Sequence, residues 1–303
     1  ASAGTTSAGL AIGGSVPAAT AVTEEWLGPG QPVGAWSTGG SLNTARNYIA
    51  GAGASNTAAL GFSGSPATAI TESYNGSAWT EVNDMNSARE IVTGIGTQTS
   101  ALGVGGIPPS ALNESWNGTS WTEVGDLNTA RYGSGGAGVD NTSALAFGGT
   151  AGAVTGVTES WNGTSWTELN DLNTARDFLG GAGTQTSALG FGGESTPSFL
   201  TAAESWNGTS WTSVASLNTG RNGVFSAGAD NTSALCSGGN APPVSALTEE
   251  WNGSSWTETT DLNTARYIGG SGGIASSAIN FGGSAAPAAS AATEEWNNPS
   301  NVI

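Results

Sequence analysis

The stretch Glu159-Ser160-Trp161-Asn162-Gly163-Thr164-Ser165-Trp166-Thr167 holds two short runs, each with a tryptophan, joined by Asn-Gly. Asn-Gly between such runs is a hairpin signal, because both residues tolerate the positive φ that a two-residue turn requires. The nonapeptide recurs with little change. Its first aromatic falls at Trp26, Tyr74, Trp116, Trp161, Trp206, Trp251 and Trp296, at spacings of 48, 42, 45, 45, 45 and 45 residues. A second landmark, Thr-Ser-Ala-Leu-Gly-Phe-Gly-Gly or a near copy, places Leu10, Leu60, Leu102, Leu145, Leu189, Leu235 and Ile279 seven times at a similar period.

Two further landmarks occur six times: the second tryptophan, at Trp36, Trp79, Trp121, Trp166, Trp211 and Trp256, and an arginine, at Arg46, Arg89, Arg131, Arg176, Arg221 and Arg266. The missing copies fall where the chain begins and ends, so seven slightly trimmed units of about 44 residues account for 303 residues. One unit reads as four strands. In the third, strand A is the glycine-rich stretch from Tyr132 to Gly138, and strand B, Ser143 to Phe147, puts Leu145 and Phe147 on one face by period two. Strand C, near Val157 to Trp161, turns at Asn162-Gly163 into strand D, Ser165 to Leu169.

A single such sheet cannot shield both faces, whereas repeated sheets stacked around an axis close on themselves. The expected fold is all-β: one domain over residues 1–303, a seven-bladed β-propeller of four-stranded antiparallel blades with the terminal strands trimmed. The units run approximately 1–43, 44–86, 87–128, 129–173, 174–218, 219–263 and 264–303. Glycine suits strand A as the innermost strand, and the tryptophans fill the wider outer part of each wedge as repeat core.

The sequence resembles the kelch-repeat β-propellers, and its regular Asn-Gly-Thr-Ser-Trp repeats look like those of microbial and phage surface proteins. The residues that carry the likeness are Gly148-Gly149, Trp161, Trp166 and Arg176 in one unit and Gly192-Gly193, Trp206, Trp211 and Arg221 in the next. Kelch-like rings serve enzymes, adaptors and adhesins alike, so the resemblance implies a fold more than a function. The copper-oxidase branch needs histidines that this chain lacks.

Composition narrows the function. The chain carries 23 acidic residues against 6 arginines, no histidine and one cysteine, for a formal charge of -17. Such a field repels nucleic acid. Histidine-based triads and zinc–histidine sites are excluded, no apolar run is long enough for a membrane helix, and no cofactor or metal is expected. Calcium ligation near Asp140-Asn141 or Asp230-Asn231 lacks the dense alternating carboxylates of an EF-hand loop. Cys236 reads as a small core filler in the place of the aromatic at Phe147, Phe191 and Phe281. A chain beginning Ala-Ser-Ala-Gly without methionine fits a processed product or excised fragment.

The candidate residues carry structural and functional readings side by side. The six arginines form either structural bridges to carboxylates such as Glu72, Glu114, Glu159, Glu204 and Glu249, or a basic ring at the axial mouth that binds an anion. The tryptophans are core, or sugar-stacking platforms of a lectin. Asn75, Asn117, Asn162, Asn207 and Asn252 are turn residues that also satisfy the glycosylation pattern. Strand direction places the D-to-A crossings, with the arginines, on one face with the variable Pro-Ala-Ser B-to-C loops, the expected recognition face. Paired carboxylates such as Glu24 and Glu25 point to opposite faces of a strand, which argues against a hydrolase. The expectation is a non-enzymatic extracellular, cell-surface or virion-surface module. Its partners would be other protein subunits of that assembly or glycans, and the alternative is a carbohydrate-binding propeller using rim tryptophans, the arginines or Tyr48, Tyr132 and Tyr267.

Overall fold

Alternating apolar residues, a Gly-Gly stop and an Asn-Gly hairpin give each repeat a four-stranded antiparallel sheet. The computed structural model describes residues 34–285 and 288–298, together with the backbone of three strands that precede them. Six sheets of four strands stand around an axis. Blade I runs Ala50–Ser55, Ala58–Phe62, Thr71–Tyr74 and Trp79–Val82, and blade II runs Thr93–Thr97, Ser100–Val104, Asn113–Trp116 and Trp121–Val124. Blade III is Gly135–Asp140, Ser143–Phe147, Thr158–Trp161 and Trp166–Glu168, and blade IV is Gly180–Gly183, Ala188–Phe191, Ala203–Trp206 and Trp211–Val214. Blade V is Phe225–Asp230, Ser233–Ser237, Thr248–Trp251 and Trp256–Glu258.

Blade VI explains why the blades number six and not the expected seven. Its first three strands, Gly270–Ile274, Ser277–Phe281 and Thr293–Asn297, come from the end of the chain, but its fourth is Ala35–Thr38. Trp296 faces Trp36 in the register that pairs Trp161 with Trp166. The seventh copies of the aromatic and leucine landmarks belong instead to Ser2–Gly4, Gly9–Ser15 and Ala19–Trp26, a three-stranded sheet of its own. The side chain of Trp26, expected as repeat core, lies outside the described residues, as do those of Leu10, Glu24 and Glu25. Strand A of blade VI lies against strand A of blade I, so the inner strands form an unbroken circle. Pairing an early strand with the last blade joins the two ends of the ring by backbone hydrogen bonds and leaves blade VI without an unpaired C-strand edge.

The circle is narrow enough that backbone meets backbone. A Cβ on Gly94 would come within 2.2 Å of the Gly51 carbonyl oxygen, and one on Gly181 within 2.5 Å of that of Gly136. Further out, the A–B strand pair of every blade but II contributes one aromatic side chain to its wedge. Facing partners are Ala50 with Phe62, Thr93 with Val104, Gly135 with Phe147, Gly180 with Phe191 and Gly270 with Phe281. Blade V reverses the sizes: Phe225 is on strand A and Ser237 on strand B. Cys236 therefore stands one position before the aromatic site, where blade III has Ala146, a correction to its expected register. Its identity as a buried filler is unchanged, and burial pushes its thiol up to about 11.

The tryptophans complete the wedges. In blades I, II, IV and V the second tryptophan packs on the aromatic of the preceding blade, with centroids 4.6 Å apart for Phe281–Trp79, 4.8 Å for Phe62–Trp121, 4.7 Å for Phe147–Trp211 and 5.0 Å for Phe191–Trp256. Its indole N–H also crosses the interface. Trp36, Trp79, Trp121 and Trp211 donate to the hydroxyls of Thr248, Thr293, Thr71 and Thr158 at 2.9–3.1 Å. Where the facing residue is Ala203 or Asn113, the Nε1 of Trp256 or Trp166 has no hydrogen-bond partner.

Candidate functional site

The crossing Leu-Asn-Thr-Ala-Arg, at residues 42–46, 127–131, 172–176 and 262–266 and with small changes at 85–89 and 217–221, carries the arginines from one blade to the next. Every arginine is buried and paired with a buried glutamate on strand C of the blade it enters: Arg46–Glu72 at 2.8 Å, Arg89–Glu114 at 2.9 Å, Arg131–Glu159 and Arg176–Glu204 at 3.2 Å, Arg221–Glu249 at 2.8 Å and Arg266–Glu294 at 3.0 Å. The second carboxylate oxygen is claimed by the crossing's asparagine. Asn128 donates both its backbone N–H, at 2.7 Å, and its Nδ2, at 2.8 Å, to Glu159 Oε2. Burial lowers the pKa of Arg46, Arg89, Arg131, Arg176 and Arg266, and the neighbouring glutamates oppose that shift in each. Removing one partner of such a buried pair costs about 3–5 kcal/mol, because the other charge is left uncompensated. The arginines thus sit inside the blades and none lines the axial channel.

A matching clamp acts at the other face. Asn141 Nδ2 donates to Ser115 Oγ at 2.9 Å and the Trp116 carbonyl at 3.0 Å, and Gln185 and Asn231 make the equivalent pair of bonds one and two blades on. The tryptophans of the ring are 0–7 % exposed, which leaves no indole face free for a sugar among the described residues. Asn75, Asn117, Asn162, Asn207 and Asn252 are exposed turn residues. Each accepts hydrogen bonds at its Oδ1 from the two backbone N–H groups that close the hairpin, at 2.9–3.0 Å.

The D-to-A crossings and B-to-C loops share a face. The residue after each arginine bridges the residue after each Gly-Gly, in pairs such as Tyr132 with Thr150, Asp177 with Glu194 and Asn222 with Asn240. Two residues beyond each arginine the chain turns to positive φ: Tyr48 at 52°, Ile91 at 58°, Gly133 at 65°, Phe178 at 49°, Gly223 at 58° and Ile268 at 50°. This turn aims the backbone around the axis. The N–H of Tyr48 donates to the Ile268 carbonyl at 2.7 Å, Phe178 to Gly133, Gly223 to Phe178 and Ile268 to Gly223 at 2.8 Å, and Ile91 to Tyr48 at 3.4 Å. Glycine adopts this conformation freely, whereas an L-residue pays roughly 1–2 kcal/mol for it and a β-branched one is an outlier. Four of six positions nevertheless carry large side chains.

Those side chains frame the mouth of the axial channel. The channel holds about 190 Å³ between the inner strands, and the mouth adds a chamber of about 120 Å³ lined by Tyr48, Ile91, Phe178 and Ile268. Tyr48 and Phe178 come from opposite blades, yet their centroids are 6.4 Å apart, and Tyr132 meets Phe178 at 6.3 Å. Burial raises the Tyr48 pKa, and Tyr267, Glu90 and Glu194 add to it from three other blades. Burial raises Asp177 although Thr150 Oγ1 donates to its Oδ2 at 2.5 Å; its Oδ1 is buried with no partner. Burial and then Asp177 raise Glu194, opposed by the Asn222 Nδ2 that donates to it at 2.7 Å.

Tyr48, Tyr132 and Tyr267 were candidates from sequence. Ile91, Phe178, Ile268, Glu90, Asp177 and Glu194 were not, and for all but Glu194, which opens a variable B-to-C loop, the signal was present: after the near-constant crossing the next two residues read Asn-Tyr, Glu-Ile, Tyr-Gly, Asp-Phe, Asn-Gly and Tyr-Ile. Variation confined to two positions of a strict repeat marks residues that the scaffold does not dictate.

No protein-family model matches the chain, and no curated protein matches it. Among solved structures it is similar to one titled "Structure of YjhT", with a TM-score of 0.67 and 15% identity over 84% of this chain and 95% of that one. That likeness supports the β-propeller fold with four-stranded antiparallel blades.

Proposed function

We propose that this chain is a non-enzymatic recognition module of an extracellular or virion surface, a kelch-like ring that engages another subunit of that assembly through the face bearing the axial mouth. The observation that carries this reading is the set of bulky residues held at positive φ, Tyr48, Ile91, Phe178 and Ile268, where glycine serves at two equivalent positions. Strain retained at a surface opening is a mark of function. The rest of the molecule is suited to being a scaffold: its latch glutamates are saturated by arginine and asparagine, and its thiol is sealed in the core.

The test compares the native chain with a Tyr48→Gly/Phe178→Gly variant for retention on the surface assembly that carries it. Loss of retention with an unchanged melting curve supports the reading, and equal retention overturns it. Carbohydrate binding is the second reading, favoured by the partly exposed Tyr48, Tyr132 and Tyr267 around the mouth. A glycan array probed with both proteins tests it, with mouth-dependent glycan binding as the supporting result.

A further inference from the structure

We propose that the axial mouth takes up a compact organic cation, the ammonium or guanidinium head of a partner's lysine or arginine or a free amine of the same chemistry, seated against Tyr48 and Phe178 and attracted by Glu90 and Glu194. The inference rests on the reading of this face as the recognition face and names the chemistry that it selects.

Three independent features converge there. The first is aromatic: Tyr48, Phe178 and Tyr132 form a chain of tilted rings across the opening, and the negative face of an aromatic ring attracts a cation within about 6 Å. The second is charge. Glu90 precedes Ile91 on the crossing into blade II, Glu194 bridges Asp177 beside Phe178 on blade IV, and both act electrostatically on Tyr48, while the buried Asp177 leaves Oδ1 without a hydrogen-bond partner. No lysine or histidine exists in the chain, and every arginine is enclosed in a blade, so the chain supplies no exposed cationic side chain to neutralise this rim. The third is size. The chamber of about 120 Å³ lined by Tyr48, Ile91, Phe178 and Ile268 has room for a small charged head. The structure thus inverts the basic mouth that the arginine pattern suggested.

The experiment titrates the full chain at low ionic strength with N-acetyl-arginine amide, N-acetyl-lysine amide and tetramethylammonium, against N-acetyl-norleucine amide as a neutral probe. Heat and tyrosine NMR shifts are the readouts. The cationic probes should bind about tenfold or more tightly than the neutral one, with affinity falling as salt is added. Phe178→Gly and Tyr48→Gly each lower cation affinity by about tenfold or more, and Glu90→Gln by a few-fold. The two glycine variants keep the fold, because blades III and V already have glycine at that position. A preference for arginine and lysine amides over tetramethylammonium points to a protein partner, and the reverse order to a free quaternary amine. Equal binding of cationic and neutral probes, or cation binding unchanged in Phe178→Gly, overturns the assignment. A neutral saccharide bound by the native chain and lost in Phe178→Gly also overturns it while leaving the recognition face intact.

Discussion

Exchanging the sizes of Phe225 and Ser237 tests the packing account of the wedge. Phe225 is fully buried on strand A of blade V, facing Ser237, whereas blades III, IV and VI place glycine on strand A and phenylalanine on strand B. Phe225→Gly empties the slot and should cost about 4 kcal/mol, as large-to-small aromatic changes in cores do. Ser237→Phe alone forces a second ring into a filled slot, about 2 kcal/mol. It also removes the hydroxyl that accepts from Asn280 Nδ2 at 2.7 Å, about 2 kcal/mol more for a buried unpaired donor. Independent effects would sum to about 8 kcal/mol. The double variant instead reproduces the Gly180–Phe191 arrangement and should lose only about 2 kcal/mol, the Asn280 contribution, with Asn280→Ala recovering most of that. Urea unfolding followed by tryptophan fluorescence gives each value. A double variant as unstable as the sum of its parts would refute the one-ring-per-wedge reasoning.

Two further outcomes follow from residues that depart from the repeat. Ala203→Thr places a hydroxyl where four other blades have one and gives Trp256 Nε1 an acceptor, so stability should rise by about 1 kcal/mol and the melting temperature by about 2 °C. A calorimetric melt that stays level or falls would contradict the equivalence of the blades. Cys236 is held protonated in the fold up to about pH 11 while an unfolded thiol titrates near 9.0, so its contribution is intact below pH 9 and is lost as pH rises between those values. At about 1.4 kcal/mol per unit the loss approaches 2–3 kcal/mol. Cys236→Ala, the residue blade III carries, should remove that part of the alkaline decline in urea midpoint; equal slopes for both proteins would contradict the sealed thiol.

Much of the ring was legible because the same physics is written several times over. Asn-Gly marked the C–D hairpins, Gly-Gly ended the B strands, and glycine in the A strands anticipated backbone-to-backbone contact such as Gly94 on Gly51. The blade count misled because the aromatic and leucine landmarks recur seven times, whereas the second tryptophan and the arginine recur six times. A closed ring needs as many D strands and crossings as blades, and Trp36 to Trp256 and Arg46 to Arg266 supply six of each. Trp26 and Trp36 are ten residues apart where every other pair is five apart, with Pro29 and Pro32 between them in place of Asn-Gly. That interval already separated the strand of Trp36 from that of Trp26. Cys236 slipped by one position because no aromatic ends its strand, and the compensating Phe225 lies across the pair and eleven residues earlier. The mouth was the least legible part. Positive φ at Ile91 and Ile268 has no residue signature, since isoleucine is a poor choice for it, and only the surrounding annulus of hydrogen bonds imposes the conformation.

Closure of six blades by the strand Ala35–Thr38 is the claim on which the placement of every crossing and loop depends. Cysteines at Ser37 and Glu295, facing residues of that closing pair, test it directly. Facing residues of antiparallel strands lie about 4.5–5.5 Å apart at Cα, within reach of a disulfide. In the folded protein the pair should oxidise to a species of altered mobility on a non-reducing gel, while a control pair at Ser37 and Glu25 should not. Crosslinking of residue 37 to residue 25 but not to residue 295 would mean that the strand of Trp36 completes the sheet of Trp26, and the six-bladed ring would be wrong.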